Sequence, residues 1–224
     1  MKGMRLVGFI VALTITTAVY ADFMNADFSQ PIKEATQWIA GQDQLNTWYG
    51  ANYSVEDHTA QLNYVSQSTK QSAARSLVQV LAIPDAGNYS WSFENQLTEY
   101  NNQWCYWQVY LLKDNAIIDL VGGPSYNKNI GNGKLISSDY ARDSDDGGKW
   151  VSYTDNFTID KNQAKNYNYI AFVMTGSIYS PSQVLGFGNF YTTVPGAGSI
   201  PEPATLILLS MGVVAMVKRK RWMC

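Results

Sequence analysis

The chain has 224 residues, with 16 basic and 18 acidic side chains, one histidine and two cysteines. Residues 22–199 hold 10 Lys or Arg against 17 Asp or Glu, a formal charge of −7 that the basic chain ends hide. Nucleic acid is therefore excluded as a partner, because phosphates need cations, and a two-histidine metal centre is excluded by the single His58.

Residues 1–21 read as a secretory signal peptide. Lys2 and Arg5 precede an apolar run from Leu6 to Val19, and Ala21 offers the small residue at which a peptidase cuts. As a helix that run covers about 21 Å, short of the roughly 30 Å of a bilayer core, which favours a cleaved signal over an anchor. Residues 22–194 then form one folded domain, long enough for a sizeable core.

Within that domain Ile32–Ile39 could make two helical turns and Ser68–Ala74 one, neither long enough to cover a sheet. From there strand signals dominate. Arg75–Ile83 is apolar on both faces, as expected between layers. Pro84-Asp85-Ala86-Gly87-Asn88 is turn chemistry, after which Tyr89, Trp91 and Phe93 alternate with Ser90, Ser92 and Glu94. Trp104, Tyr106, Gln108, Tyr110 and Leu112 face one way along the next strand, and Cys105, Trp107, Val109 and Leu111 the other. Cys105 reads as a buried small hydrophobe, since no base lies beside it. Lys113-Asp114-Asn115 reads as a hairpin turn with Ala116–Val121 returning.

The polar, Gly-rich stretch from Gly122 to Gly148 predicts a long excursion with a short strand near Lys134–Ser138. Three strands follow: Trp150–Ile159, with Asp155 interrupting its apolar face, Tyr169–Thr175 and Val184–Tyr191. Short strands without long helices predict an all-β fold, an antiparallel β-sandwich or jelly roll. A linker, 195–200, and one C-terminal hydrophobic helix are expected after it.

The chemistry of catalysis is sparse. There is no Gly-x-Ser-x-Gly nucleophile elbow and no Gly-rich phosphate loop. Asp143, Asp145 and Asp146 could offer hard oxygen ligands to calcium, but the spacing is not that of an EF-hand, and a solvated turn competes with that reading. No other cofactor is expected. Glu94, Glu99, Asp119 and Asp155 supply carboxylates, though nothing in one dimension pairs them across a cleft. The aromatic side chains are the functional lead: Trp104, Tyr106 and Trp107 in one strand, Trp48 and Tyr49 near the start, and Tyr126 and Tyr140 in the excursion. Exposed rings of this kind stack on sugar faces while amides meet hydroxyls.

The tail carries the most specific signal. Pro195-Gly196-Ala197-Gly198-Ser199 breaks regular structure, Pro201-Glu202-Pro203 holds an extended stretch, and the apolar run Ala204–Val217 ends in Lys218-Arg219-Lys220-Arg221. Four cations are retained on the cytoplasmic side, which leaves the domain outside. This order over about 200–221, within a terminal segment 201–224, resembles the PEP-CTERM sorting signal of Gram-negative bacteria that make extracellular polysaccharide. The resemblance implies an exosortase-type enzyme as partner, acting near Pro201, Glu202 and Pro203, and membrane contact through the C-terminal helix before processing.

The domain resembles carbohydrate-binding jelly rolls of the galactose-binding type. Asn25-Ala26-Asp27-Phe28 is similar to their opening strand, Gly87-Asn88-Tyr89-Ser90-Trp91-Ser92-Phe93 to their Gly-x-Tyr strand, Trp150 through Phe157-Thr158-Ile159 to their Trp-to-Phe-Thr segment, and Leu185-Gly186-Phe187-Gly188-Asn189-Phe190 to their closing strand. Gly188 stands where that family carries an Asp that often helps hold a calcium ion, which puts a metal site of the family type in doubt. The resemblance implies an exported envelope or matrix protein, non-catalytic, engaging extracellular polysaccharide. A two-carboxylate glycan hydrolase and a self-assembling surface protein remain the alternatives.

Overall fold

A computed structural model describes residues 21–22, 26–64, 66, 74–98, 104–122, 130, 132–142 and 148–195. Residues 1–20 of the signal segment, the linker from residue 196 and the C-terminal apolar run lie outside the described residues, and among those described no helix is long and apolar enough to cross a membrane.

Two six-stranded sheets pack face to face. The first runs β12 (Trp150–Ile159), β8 (Gly87–Leu97), β14 (Leu185–Thr192), β6 (Thr59–Leu62), β5 (Tyr53–Glu56), with β1 (Ala21–Asp22) also on β14. The second runs β11 (Gly133–Arg142), β9 (Trp104–Leu112), β13 (Tyr169–Gly176), β7 (Arg75–Ala82), β4 (Trp48–Gly50), β2 (Lys33–Glu34). The expected antiparallel sandwich is present except at one edge, where β2 lies parallel to β4.

Alternation decides which side chains meet between the sheets. Trp91, Phe93, Phe157 and Phe187 from the first sheet face Leu77, Trp107, Val109 and Phe172 from the second. Rings pack across the gap, Trp91 on Phe172 at 5.0 Å and Phe93 on Trp107 at 5.2 Å between centroids. Asp155 points into this layer and accepts from the Ser137 hydroxyl, which satisfies the one carboxylate on the apolar face of β12. Cys105 is fully buried, as expected, and its thiol points at Asn95 Oδ1 at 3.4 Å while the Asn95 amide donates to the Gly186 carbonyl at 3.0 Å.

The second sheet is buried on both faces, which accounts for the double apolar pattern of β7. A two-stranded ribbon, β3 (Gln37–Ile39) with β10 (Ile117–Asp119), lies over its outer face. Trp38, Ala116, Ile118 and Leu120 press on Val78, Val80, Tyr110, Leu112, Ala171 and Val173 in a second core.

This ribbon corrects two expectations. Residues 32–39 are not helical: the apolar spacing of Ile32, Ala35, Trp38 and Ile39 suits a helix, but pairing with β10 buries Trp38 completely and overrides it. Lys113-Asp114-Asn115 does turn, with Asn115 left-handed at φ 64°, yet the chain does not return onto β9. Both edges of β9 are already taken, by β11 and β13. The short strand expected near Lys134–Ser138 is a ten-residue strand for the same reason: it closes that edge.

The one described helix, α1 (Lys161–Asn166), was not foreseen. Its signal was Asp160 three residues before Gln163: the Asp160 carboxylate accepts from the Gln163 amide and the Gln163 side chain accepts from the Asp160 amide, both at 2.8 Å. His58 sits exposed at the tip of the β5–β6 hairpin, where it and Asp57 both take positive φ, as a two-residue hairpin turn demands.

Candidate functional site

The ribbon covers only part of the outer face of the second sheet. Beyond it, toward the start of β9, the face carries Trp104 and Tyr106 on β9 and Tyr140 on β11. Tyr140 is the cross-strand partner of Tyr106, which places neighbouring side chains on one side at close range. The Trp104 and Tyr106 rings meet edge to face at 4.6 Å, and Tyr106 and Tyr140 lie 5.7 Å apart. Tyr140 is 40% exposed, and Trp104 and Tyr106 are half-buried.

Polar groups flank the rings. Opposite Tyr106 on β13 is Thr175, whose hydroxyl bonds the Ser76 hydroxyl at 2.7 Å, both buried. One step along β9 is Gln108, buried, with Ser138 as its cross-strand partner. Burial pushes the Tyr110 hydroxyl up to about 12; the nearby Gln108 amide pulls the other way. Even so, Gln108 Nε2 has no well-aligned acceptor among the described residues. Gln108, Ser76 and Thr175 were not singled out from the sequence; the available signal was a polar residue in each of three otherwise apolar strands.

The other aromatic candidates are placed differently. Trp48 packs between the sheets, 4.6 Å from Phe190 and 5.4 Å from Phe28. Trp107 lies there too, against Phe93 and Tyr153. Tyr49 is buried under the ribbon, its hydroxyl accepting from the Gln44 amide at 3.0 Å. These three rings hold the fold and present no face to a ligand. Tyr126, the Asp143, Asp145 and Asp146 cluster, and Pro201, Glu202 and Pro203 lie outside the described residues.

Among the described residues the candidate carboxylates do not converge, and Glu99 lies outside them. Glu94 is on the outer face of the first sheet, Asp119 on the ribbon bonded by the Gln37 amide, and Asp155 between the sheets. No two of them flank a common cleft, and among the described residues no cluster of three His, Cys, Asp or Glu could hold a metal ion.

Residues 199–221 match the PEP-CTERM protein-sorting motif. The chain is thus exported to the cell envelope or extracellular space by exosortase-dependent sorting. No curated protein sequence matches it. Among solved structures, the domain is similar to one described as "CBM4 structure and function", at 10% identity and TM-score 0.49, covering 75% of this chain and 96% of that one. It is also similar to a putative sugar binding protein from Bacteroides thetaiotaomicron, at 9% identity and TM-score 0.47, covering 78% and 99%. A xylan-binding domain of CBM22 aligns at 11% identity and TM-score 0.40, covering 81% and 96%. The likeness is one of fold.

Proposed function

We propose that the exported domain is a non-catalytic module that binds extracellular polysaccharide at the open end of the second sheet's outer face. The observation that carries this reading is the aromatic trio Trp104, Tyr106 and Tyr140, gathered on one face beyond the ribbon. Sugar rings stack on aromatic faces through their C–H bonds, and their hydroxyls meet amides and hydroxyls held behind the rings. The scattering of Glu94, Asp119 and Asp155 over three faces supports binding over hydrolysis, which needs two carboxylates across one cleft. The sorting motif delivers such a module to where the polymer is. In this reading the Ala204–Val217 segment holds the chain at the membrane until an exosortase-type enzyme acts near Pro201, Glu202 and Pro203.

Affinity electrophoresis of the full chain through gels containing soluble β-glucan, xylan or galactan tests the reading. At least one polymer is expected to retard the wild-type chain, and Tyr106→Ala is expected to weaken that retardation at least twofold. Unchanged retardation of Tyr106→Ala would overturn the site; wild-type mobility unaffected by every polymer would overturn the function.

A further inference from the structure

The opposite face of the sandwich holds a second arrangement, independent of the first. Trp150 opens β12, faces outward and is 40% exposed. Its cross-strand partner is Gln96 on β8, and Gln96 in turn faces Gly186 on β14. The indole reaches across β8 and rests on β14 where side chains are missing: a Cβ added at Gly186 would come 2.9 Å from Trp150 Cη2, and one at Gly188 3.9 Å from Cζ3. Glycine within a strand weakens it unless something must approach closely, and here the indole does. The indole therefore lies against backbone where two glycines leave it room, while 40% of the residue stays exposed.

The surroundings are built around that ring. Gln61 on β6 lies beyond Gly186, and Thr59 beside Gly188. A bulge in β14 between Gly188 and Tyr191 breaks the register, and within it Asn189 takes a left-handed φ of 50°. Bulges re-aim side chains, and a left-handed non-glycine residue costs free energy that the surroundings must offset. Asn189 thereby donates to Glu94 Oε2 at 2.6 Å, and Ser152 donates to Glu94 Oε1 at 3.4 Å. Both oxygens of the carboxylate are thus held in place beside the ring.

Charge selects the ligand. Strands β5, β6, β8, β12 and β14 contain no lysine or arginine, and Lys149, just before Trp150, is set against Glu94 on the face itself, so among the described residues these strands offer no basic patch to an acidic polymer or an anionic membrane. A protein partner would need a contiguous apolar centre, whereas the rows between the exposed Trp150 and Tyr191 are hydroxyls and amides. The geometry points to a second carbohydrate site here, with Trp150 as its platform and an uncharged glycan as its ligand. Donors and acceptors for sugar hydroxyls come from Gln96, Gln61 and the Glu94–Asn189 pair.

The full chain with Tyr106→Ala, which removes the first site, isolates this one. Neutral β-glucan, xylan or galactan in the gel is expected to retard Tyr106→Ala still. Adding Trp150→Ala is expected to reduce that retardation at least tenfold, while Trp150→Phe, which keeps an aromatic face, is expected to restore most of it. Alginate is expected to leave every variant unretarded. Near-UV circular dichroism matching that of the wild type certifies the fold, and the phenylalanine variant carries the comparison if the alanine variant fails that check: a loss of retardation smaller than twofold on going to any non-aromatic folded residue at 150 overturns the site. Retardation abolished by Tyr106→Ala alone overturns this inference and leaves the first site standing. Loss with Trp150→Ala but not with Tyr106→Ala does the reverse, and a wild-type chain that no polymer retards overturns both.

Discussion

Truncating Trp38 to alanine tests whether the ribbon is held to the second sheet by its one buried indole. Trp38 is fully buried, meets Tyr169 edge to face at 6.0 Å, and its Nε1 has no hydrogen-bond partner among the described residues, so its removal forfeits packing and no polar bond. A buried tryptophan removes about 200 Å² from water, worth about 5 kcal/mol at about 25 cal/mol per Å². The denatured chain already buries part of that surface, and measured large-to-small substitutions in cores fall near 3–5 kcal/mol, so about 4 kcal/mol is expected. With a urea slope of about 2 kcal/mol per molar, the midpoint of the full chain falls by about 2 M. The loss is also local, because Trp38 belongs to the outer core and not to the one between the sheets. Hydrogen exchange should therefore accelerate at Ala40, Leu120 and Ser76, whose amides bond Ala116, Thr36 and Leu120 across the ribbon, and stay slow in β8 and β14. A midpoint shift below about 0.5 M, or equal loss of protection in β8, would refute the argument.

Two further outcomes follow from the interior. At Gly176 a Cβ would collide with Leu185 Cδ2 and lie 3.2 Å from the Trp104 carbonyl, so Gly176→Ala is expected to cost about 1–3 kcal/mol; an unchanged thermal midpoint would contradict the close approach. Burial raises the hydroxyl of Tyr110 to about 12 and that of Tyr53 further, while both titrate near 10 in an unfolded chain. A folded value above the unfolded one means that this stabilisation is whole below about pH 10 and drains as pH rises through 12. Phenolate absorbance near 295 nm is expected to show a late set of tyrosines ionising together with loss of structure, and their smooth titration in a still-folded chain would refute it.

What the sequence showed and what it hid divide along a physical line. Strands β7, β9, β12, β13 and β14 were legible within a residue or two, because period-two alternation and bulky side chains report half-burial locally. The faces of β9 were legible too: Trp104 and Tyr106 on one side, Cys105 and Trp107 on the other. Pairing partners were not, since a turn such as Lys113-Asp114-Asn115 says that the chain reverses and says nothing about which edge is vacant. Burial of a given ring was hidden for the same reason. Trp48 and Trp104 both sit in aromatic-rich strands, and what separates them is that one faces the other sheet while the other lies past the end of the ribbon. The pairing of Trp150 with Gly186 and Gly188 joins residues 36 and more apart on strands that are not adjacent, a relation no local pattern reports.

The two proposed platforms lie on opposite outer faces of one sandwich, and that placement constrains what binding can accomplish. Between them stand two sheets about 10 Å apart, each with outward side chains. A single stiff glycan cannot reach both rings without wrapping around the edge of the domain, so avidity on one chain is forbidden by geometry. Two chains can be held at once. With both proposed sites occupied the domain would crosslink polymer strands, a role suited to a matrix component, whereas a hydrolase gains from a long groove on one face. The ribbon fits the same logic from the other side. By covering Tyr110, Val78 and Ala171 it confines the proposed first site to one end of its sheet, which would limit the length of glycan held there and leave the rest of each polymer free to meet another copy.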